Sequence, residues 1–292
     1  MQLSEYVNAI TRANVEYKID ESLSNYCAYR TGGPAKIMVF PKSHEQLCAC
    51  TKTDIPIEVI GFGTNLLCSD KGFNGIVINS CKMSKITVSG ACIRAECGAK
   101  LSEVREIAEI NCLGGLEFTD GIPASVGGGV CMNAGCFTKS LSEYVAYVVT
   151  DKAVYNNQSC DFGYRNSIFC KKKGEIISSV CFVLKPSESD IIQSKREKFK
   201  KLRKNSQPHG KSCGSVFLND GYFAGKIIDT AGLKGYSIGG AKVSEKHANF
   251  ILNTGNSSQD IYDLIKFIKN KVYQTQNVKL KEEIKYIGIF DD

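Results

Sequence analysis

The sequence contains no apolar run that approaches the roughly 20 residues needed for a membrane-spanning helix. Its first residues, Met1 to Glu5, lack the basic start and the apolar core of a secretory signal peptide. We therefore expect a cytoplasmic protein without membrane insertion. A chain of 292 residues with a hydrophobic fraction of 43% is long enough for two or three packed units.

The usual sequence signs of a metal site are also missing. There is no Cys-x-x-Cys pair, and the three histidines, His44, His209 and His247, are far apart in the chain. Fourteen cysteines in 292 residues are too sparse for a secreted disulfide framework. Many fall in apolar, strand-like runs such as 179–183, so we interpret most of them as small buried hydrophobic side chains in a reducing compartment. We predict no metal.

Charge is modest overall and concentrated in one segment. The net charge is +7, and seven of the ten residues from Lys195 to Lys204 are basic. This segment is either the solvated face of a helix or a positive field that attracts a substrate carrying a diphosphate. No aromatic stacking pattern accompanies the charge, so nucleic-acid binding is not expected.

Helical and strand patterns are intermixed along the chain, which favours the α+β class. Amphipathic spacing and capping residues predict helices over 3–10, from Ser43 to Cys50, from Ser102 to Cys112, over 187–205, and over 258–274 after Ser257. Short β-rich runs predict strands at 57–60, 76–78 and 176–184, and hairpins at 86–99 and 144–155.

Two glycine-rich loops are the strongest sign of a ligand. Gly61-Phe62-Gly63 follows a predicted strand, but Leu66 stands where the dinucleotide-binding fingerprint requires a third glycine, which excludes that fold. The backbone N–H groups of such a loop can instead cradle a phosphate directly. The second loop, 121–130, has four glycines and no charge and continues to Gly135. Either its backbone approaches a ligand closely or it forms a tight turn under a strand. Together the two loops indicate an extended ligand with a pyrophosphate.

Several segments resemble one family of flavoenzymes, the UDP-N-acetylenolpyruvoylglucosamine reductases. The resemblance runs from about Tyr26 to Gly288 in the family's order. It is carried by Thr31-Gly32-Gly33-Pro34-Ala35, Gly61 to Leu67, Gly121 to Gly128, Phe162 to Phe169, Cys213 to Asn219, Gly239 to Phe250 and Leu280 to Gly288.

The resemblance implies a fold and a cofactor. The fold is α+β: an FAD-binding fold of the vanillyl-alcohol-oxidase type with two α+β subdomains, 1–80 and 81–186, and a C-terminal α+β substrate domain, 187–292, entered through a linking helix at 187–205. FAD is expected to be bound non-covalently. The residues implied to contact it are Gly61, Gly63, Thr64, Asn65, Leu66, Gly121, Ile122, Ser125, Gly128, Asn133, Ala134 and Gly135.

The implied activity is the reduction of an enolpyruvyl ether in bacterial cell-wall synthesis, with NADPH as the reductant. Hydride is added at C3 of the enolpyruvyl group, and a proton must then reach C2 while negative charge is stabilised. Ser215 matches the family's proton donor, and Arg165 and Glu283 match its charge-stabilising residues. The nucleotide-sugar substrate is expected to contact Tyr164, Asn219 and His247. We expect a monomer.

Some positions depart from the family pattern. Ala124 stands where glycine is usual, and an added methyl should be tolerated unless the position needs a positive φ. His209-Gly210-Lys211 and Leu218 also differ, which bears on the contacts to the substrate phosphates. The chain is similar to the shorter of the family's two forms.

Two other functions would fit the same glycine loops. An FAD-dependent oxidase or dehydrogenase acting on another alcohol or sugar would share both loops, but would have no reason to carry Arg165, Ser215 and Glu283 in these contexts. A non-catalytic protein that binds flavin or a nucleotide sugar would also share them.

Overall fold

The structure of the chain, a computed structural model, describes residues 2–172 and 174–292. Helices and strands are intermixed along these residues, with several runs of consecutive strands, which agrees with the α+β prediction. The α-helices are α1 (Leu3–Arg12), α2 (His44–Cys50), α3 (Leu101–Ile110), α4 (Val126–Cys131), α5 (Ile168–Lys171), α6 (Ser189–Ser206), α7 (Ala224–Thr230) and α8 (Ser258–Gln276). None of the described helices is both long and apolar enough to cross a bilayer.

The helix boundaries follow local capping chemistry. The predicted caps of α2 and α8 are confirmed, because Ser43 Oγ accepts from the Gln46 N–H and Ser257 Oγ from the Asp260 N–H. The predicted cap of α3 is wrong. That helix begins at Leu101, whose N–H donates to the Ala124 carbonyl, so the backbone before it is fixed by an antiparallel bridge and Ser102 lies inside the first turn.

Within the described residues, the strands form six sheets. They are β1 (Glu16–Ser22), β2 (Pro34–Phe40), β3 (Ile57–Ile60), β4 (Leu66–Cys68), β5 (Phe73–Asn79), β6 (Ile86–Ser89), β7 (Cys92–Glu96), β8 (Leu113–Gly114), β9 (Gly135–Cys136), β10 (Lys139–Ser140), β11 (Val145–Thr150), β12 (Val154–Asn156), β13 (Ile177–Val183), β14 (Lys185–Pro186), β15 (Ser237–Ile238), β16 (Ala241–Val243), β17 (Ile251–Asn253) and β18 (Lys285–Ile287). The sheet orders are β1-β2-β5-β3, β12-β11-β13-β7-β6, β15-β16-β17 and the pairs β10-β9, β14-β8 and β18-β4.

The chain divides into two compact units. Unit 1 contains Met1–Lys18, Met38–Phe62 and Ile76–Arg203, and unit 2 contains Ile19–Ile37, Gly63–Gly75 and Lys204–Asp292. Each unit thus collects segments that are distant in sequence.

The core of unit 1 is built on the five-stranded antiparallel sheet. Its two predicted hairpins, β6-β7 and β11-β12, are confirmed. The central strand β13 is buried along six of its seven residues, so both of its faces are covered. The glycine-rich α4 packs against this strand.

Unit 2 is built around α8 and the three-stranded sheet. The apolar face predicted for α8 is confirmed, since Ile261, Leu264, Ile265, Ile268 and Val272 are all buried. The parallel pair β18-β4 adds Lys285–Ile287 to Leu66–Cys68. The segment that contains Glu283 therefore lies beside the first glycine loop within this unit.

Two cysteines form a disulfide that the sequence analysis did not predict. Cys92 and Cys181 lie on the adjacent strands β7 and β13, with their Cα atoms 6.5 Å apart. They are 89 residues apart in sequence, so only the strand register brings them together. The other twelve cysteines are thiols, and Cys112 alone among these is exposed.

The basic side chains of α6 are of two kinds, arginines that bind the protein and lysines that are exposed. Arg196 Nε donates to Asp120 Oδ2 at 2.8 Å, and Arg203 Nε donates to the Asp120 carbonyl at 2.9 Å. These two arginines therefore hold the start of the second glycine loop in place. The lysines of the segment, Lys195, Lys198, Lys200, Lys201 and Lys204, are exposed.

Candidate active site

The first glycine loop presents a row of unused backbone donors. Within the described residues, the N–H groups of Phe62, Gly63, Thr64 and Asn65 make no hydrogen bond to the protein. Gly63 has a φ of 61°, and a Cβ at this position would lie 2.0 Å from the Tyr26 carbonyl oxygen. Only glycine fits there. Successive N–H groups in such a turn form an anion-binding nest, which suits a pyrophosphate.

The residues after this loop form a strand and not a helix. Leu66–Cys68 is β4, which confirms that the chain does not carry the dinucleotide-binding fingerprint. The side chain of Asn65 donates through Nδ2 to the Glu283 carbonyl at 3.2 Å, and Leu66 accepts from Cys213 Sγ at 3.0 Å. These hydrogen bonds fix the loop without using the backbone N–H groups of residues 62–65, which remain able to bind a ligand.

The second glycine loop is partly helical. Ser125 Oγ accepts from the Gly128 N–H and caps α4. The first two N–H groups of the helix are already used, since Val126 donates to the Ala99 carbonyl and Gly127 to the Cys97 carbonyl. The start of α4 is therefore closed by the protein's own backbone, while Gly128 is exposed on its outer side.

Close packing, one of the two alternatives left open for this loop, applies to Gly127. A Cβ at Gly127 would lie 2.8 Å from Cys97 Cβ, so this glycine is required by packing under the sheet. A Cβ at Gly61 would lie 2.2 Å from Ser125 Oγ, which requires a glycine at the end of β3 as well. Ala124 has no positive φ, so the alanine is accommodated as expected.

Asn133 to Gly135 continue the loop and hold the segment that carries Arg165. Asn133 is buried and uses its whole side-chain amide within the protein: Nδ2 donates to the Gly163 carbonyl at 2.9 Å, and Oδ1 accepts from the Ser142 N–H at 3.0 Å. The amide of Asn133 thus positions the Arg165 segment. Ala134, a predicted cofactor contact, is half-buried beside it.

Arg165 lies in an uncommon backbone conformation with a φ of 51°. Its Nη2 donates to the Gly135 carbonyl at 2.6 Å, and its guanidinium carbon is 5.1 Å from the centre of the Tyr164 ring. Tyr164 itself is 54% exposed. The structure therefore gathers Arg165, Tyr164, Asn133 and Gly135 at one place in unit 1, on a strained loop of the kind found at functional sites.

Ser215 lies on an extended segment of unit 2. It pairs with Phe250 in an antiparallel bridge, and the next residue, Val216, donates its N–H to the Asn249 carbonyl at 2.8 Å. The Ser215 side chain is half-buried, and among the described residues its hydroxyl has no hydrogen-bond partner. Its proton is available to a ligand.

Asn249 is a positioning residue that the sequence analysis did not single out. Its Oδ1 accepts from the Phe217 N–H at 2.9 Å, and its Nδ2 donates to the Phe217 carbonyl at 2.8 Å. The buried Asn249 amide thus makes the two backbone hydrogen bonds that a neighbouring strand would otherwise make. These bonds fix the Ser215 segment. The only sequence sign was its place in the segment that ends at Phe250.

Two adjacent glutamates lie beside the Ser215 segment. Glu283 donates its N–H to the Val216 carbonyl at 2.7 Å, one residue from Ser215. The neighbouring Glu282 is held by an ion pair, with its Oε1 2.6 Å from Lys269 Nζ. The Glu282 carboxylate is thus held on Lys269 of α8, while Glu283 is tied to the Ser215 segment through its backbone N–H.

The two remaining substrate candidates in unit 2 have structural partners. Asn219 Oδ1 accepts from the Ala224 N–H at 2.9 Å, at the start of α7. His247 Nδ1 accepts from the Asn249 N–H at 3.3 Å, and its ring packs against Phe250 at 5.0 Å. With Nδ1 as the acceptor, the neutral ring carries its proton on Nε2.

His247 should make stability depend on pH. Burial lowers the pKa of His247, and the charge of Lys234 lowers it further. The unfolded chain binds a proton at this side chain at about pH 6.5, so its contribution is present above that pH and is lost as the pH falls.

We expect the wild-type unfolding temperature to fall more than that of His247→Gln between about pH 7.5 and pH 5. Thermal unfolding of both proteins across this range checks the prediction. The shared His44 and His209 cancel in the comparison, and parallel curves would show that the folded and unfolded pKa values of His247 are equal.

Two protein-family models match this chain. Residues 206–287 match the C-terminal domain of UDP-N-acetylenolpyruvoylglucosamine reductase, and residues 35–155 match an FAD binding domain. The second match covers the first glycine loop and the residues from Gly121 to Gly135.

Similar proteins cover nearly the whole chain. A UDP-N-acetylenolpyruvoylglucosamine reductase of Caldanaerobacter subterraneus is 39% identical over 92% of this chain and 93% of its own. One of Lactiplantibacillus plantarum is 39% identical over 94% of each chain. The crystal structure of UDP-N-acetylenolpyruvylglucosamine reductase from Thermus caldophilus has a TM-score of 0.82 and 31% identity, covering 94% of this chain and 99% of that one.

These comparisons confirm the predicted fold class. The chain combines an α+β FAD-binding fold of the vanillyl-alcohol-oxidase type with a C-terminal α+β domain.

Proposed function

The chain belongs to the UDP-N-acetylenolpyruvoylglucosamine reductase family, and from this premise we propose that it reduces UDP-N-acetylglucosamine enolpyruvate to UDP-N-acetylmuramate for bacterial peptidoglycan synthesis. NADPH is the proposed reductant. We propose that the protein works in the cytoplasm. We propose that it acts as a monomer, with subdomains at 1–80 and 81–186 and a substrate domain at 187–292.

FAD is the cofactor that fits this chain. The four unused N–H groups from Phe62 to Asn65 suit its pyrophosphate, and exposed Gly128 allows a close approach of a ligand to α4. When bound, FAD supplies hydride transfer to C3 of the enolpyruvyl group. We propose that Asn133 shapes this site through its two hydrogen bonds to the protein.

Ser215 is proposed to supply the proton at C2. An ordinary hydroxyl is a weak acid, but the enolate-like charge that follows hydride addition is a strongly basic acceptor. A half-buried hydroxyl without a protein partner does not have to break a hydrogen bond before it donates. This availability of the Ser215 hydroxyl is the observation that carries the proposed mechanism.

Glu283 and Arg165 are proposed to stabilise negative charge on the substrate. A carboxyl close to an enolate favours its protonated form, in which Glu283 donates a hydrogen bond. Arg165 has a fixed charge and a planar fork that suits a carboxylate. Tyr164, Asn219 and His247 are the proposed contacts to the nucleotide sugar, with His247 donating from Nε2 to a phosphate oxygen.

Product analysis tests the proposed function. The purified protein, NADPH and UDP-N-acetylglucosamine enolpyruvate should give a product that is heavier by two hydrogen atoms and co-migrates with UDP-N-acetylmuramate. An NADPH-dependent flavin turnover with no change in the sugar nucleotide would contradict it.

Arg165→Lys should lower the rate of substrate reduction by about 10-fold or more, because lysine keeps the charge but loses the planar fork. Nη2 of Arg165 already donates to the Gly135 carbonyl. A lysine ammonium cannot keep this bond and also offer a planar pair of donors to the substrate carboxylate. Single-turnover oxidation of the reduced flavin by the substrate measures the effect. A wild-type rate would mean that charge alone is sufficient.

FAD should be bound without a covalent link. The cysteines nearest the second loop are engaged within the protein: Cys136 Sγ donates to the Phe118 carbonyl at 3.0 Å, and Cys131 lies against Cys170. Acid precipitation should release all flavin to the supernatant, and yellow colour remaining in the protein pellet would show that this expectation is wrong.

A further inference from the structure

Two thiols meet where α4 and α5 pack together. Cys131, the last residue of α4, has its Sγ 3.6 Å from the Sγ of Cys170 in α5. Both side chains are half-buried, so neither is sealed in the core. We propose that Cys131 and Cys170 form a redox modification site, which a low-molecular-weight disulfide converts to an intramolecular disulfide.

The surrounding hydrogen bonds keep the two sulfurs adjacent. Ser167 Oγ donates to the Cys131 carbonyl at 2.6 Å, and Cys170 Sγ donates to the same carbonyl at 3.1 Å. Cys170 also donates its N–H to the Ser167 carbonyl at 3.1 Å. Because Ser167 and Cys170 both donate to the Cys131 carbonyl, the two sulfurs are held 3.6 Å apart, against roughly 2.05 Å in a disulfide.

The modification is a two-step thiol–disulfide exchange. One cysteine thiolate attacks a sulfur of the reagent, which forms a mixed disulfide and releases the first reagent thiolate. The second cysteine thiolate attacks the protein sulfur of that mixed disulfide and releases the second reagent thiolate. The two cysteines lose two electrons and two protons, and the reagent gains both as two thiols.

Cys27 and Cys68 are also adjacent thiols, but both are buried, whereas Cys131 and Cys170 are half-buried and open to a reagent. Among the described residues, exposed Cys112 makes no contact with another cysteine, so its mixed disulfide should persist. At Cys131 and Cys170 the neighbouring thiol should displace the adduct. The resulting bond joins residues 39 positions apart and constrains the intervening chain, which includes Arg165.

Treatment of the purified protein with oxidised glutathione tests the site. After acid quenching and peptide mapping, we expect a Cys131–Cys170 cross-link without glutathione on either residue, and a stable glutathione adduct on Cys112. The cross-linked protein should unfold at a higher temperature, and dithiothreitol should reverse both changes.

Cys131→Ser and Cys170→Ser supply the trapping control. In each variant the remaining cysteine of the pair has lost its resolving partner and should retain glutathione. The proposal is overturned if the wild-type protein keeps glutathione on Cys131 or Cys170. It is equally overturned if both thiols stay unmodified while Cys112 reacts.

Discussion

Ser215→Ala should slow oxidation of the reduced flavin by UDP-N-acetylglucosamine enolpyruvate by about 10²-fold or more, while reduction by NADPH stays near the wild-type rate. Oxidation of the reduced flavin by the substrate needs a proton at C2, whereas reduction of the flavin by NADPH does not. The half-buried hydroxyl of Ser215 has no partner among the described residues, so the substitution breaks no structural hydrogen bond there. Stopped-flow measurement of the two half-reactions separates the steps.

Ser212→Ala is the matched control. This serine lies in the same segment, three residues before Ser215, and is also half-buried. Both half-reactions should keep wild-type rates in this variant. If Ser215→Ala slows reduction and oxidation equally, its hydroxyl is structural and the proposed proton donor must be another group.

Glu283→Ala should lower the rate of substrate reduction by at least about 10²-fold, and Glu283→Gln should retain clearly more activity. If Glu283 acts as a neutral carboxyl that donates a hydrogen bond, the glutamine amide can replace it in part. If it acts as a carboxylate that accepts a proton, glutamine cannot replace it and should be as damaging as alanine. Flavin oxidation in a single turnover compares the two variants directly.

Glu282→Gln is the control for the choice between the two glutamates. Its carboxylate pairs with Lys269 on α8, and such a partly exposed ion pair contributes about 1 kcal/mol or less. We expect a small loss of stability and near-wild-type rates. Wild-type rates for Glu283→Ala together with a large loss in Glu282→Gln would exchange the two assignments.

Strong local signals predicted their elements well. The apolar face of α8 and the serine cap before it specify a helix over several turns, and that helix is found. The alternating patterns around β6-β7 and β11-β12 likewise predict their hairpins. These elements are determined by residues close in sequence.

Tertiary contacts account for what the sequence did not reveal. Three consecutive glycines disfavour a helix, yet α4 forms because Ser125 caps it and Gly127 packs directly on Cys97. Cys92 and Cys181 are joined only through the register of β7 and β13.

For the candidate site, family-like motifs predict Ser215, Arg165 and Glu283, and these roles stay predictions. The positioning amides of Asn133 and Asn249 depend on partners up to 32 residues away, and no local pattern marks such bonds.

An anaerobic flavin spectrum tests the central claim most directly. NADPH should bleach the bound flavin, and UDP-N-acetylglucosamine enolpyruvate should then restore the oxidised spectrum with one equivalent of UDP-N-acetylmuramate formed per flavin. A flavin that NADPH does not bleach, or a reduced flavin that this substrate leaves bleached, would contradict the proposed reductase activity.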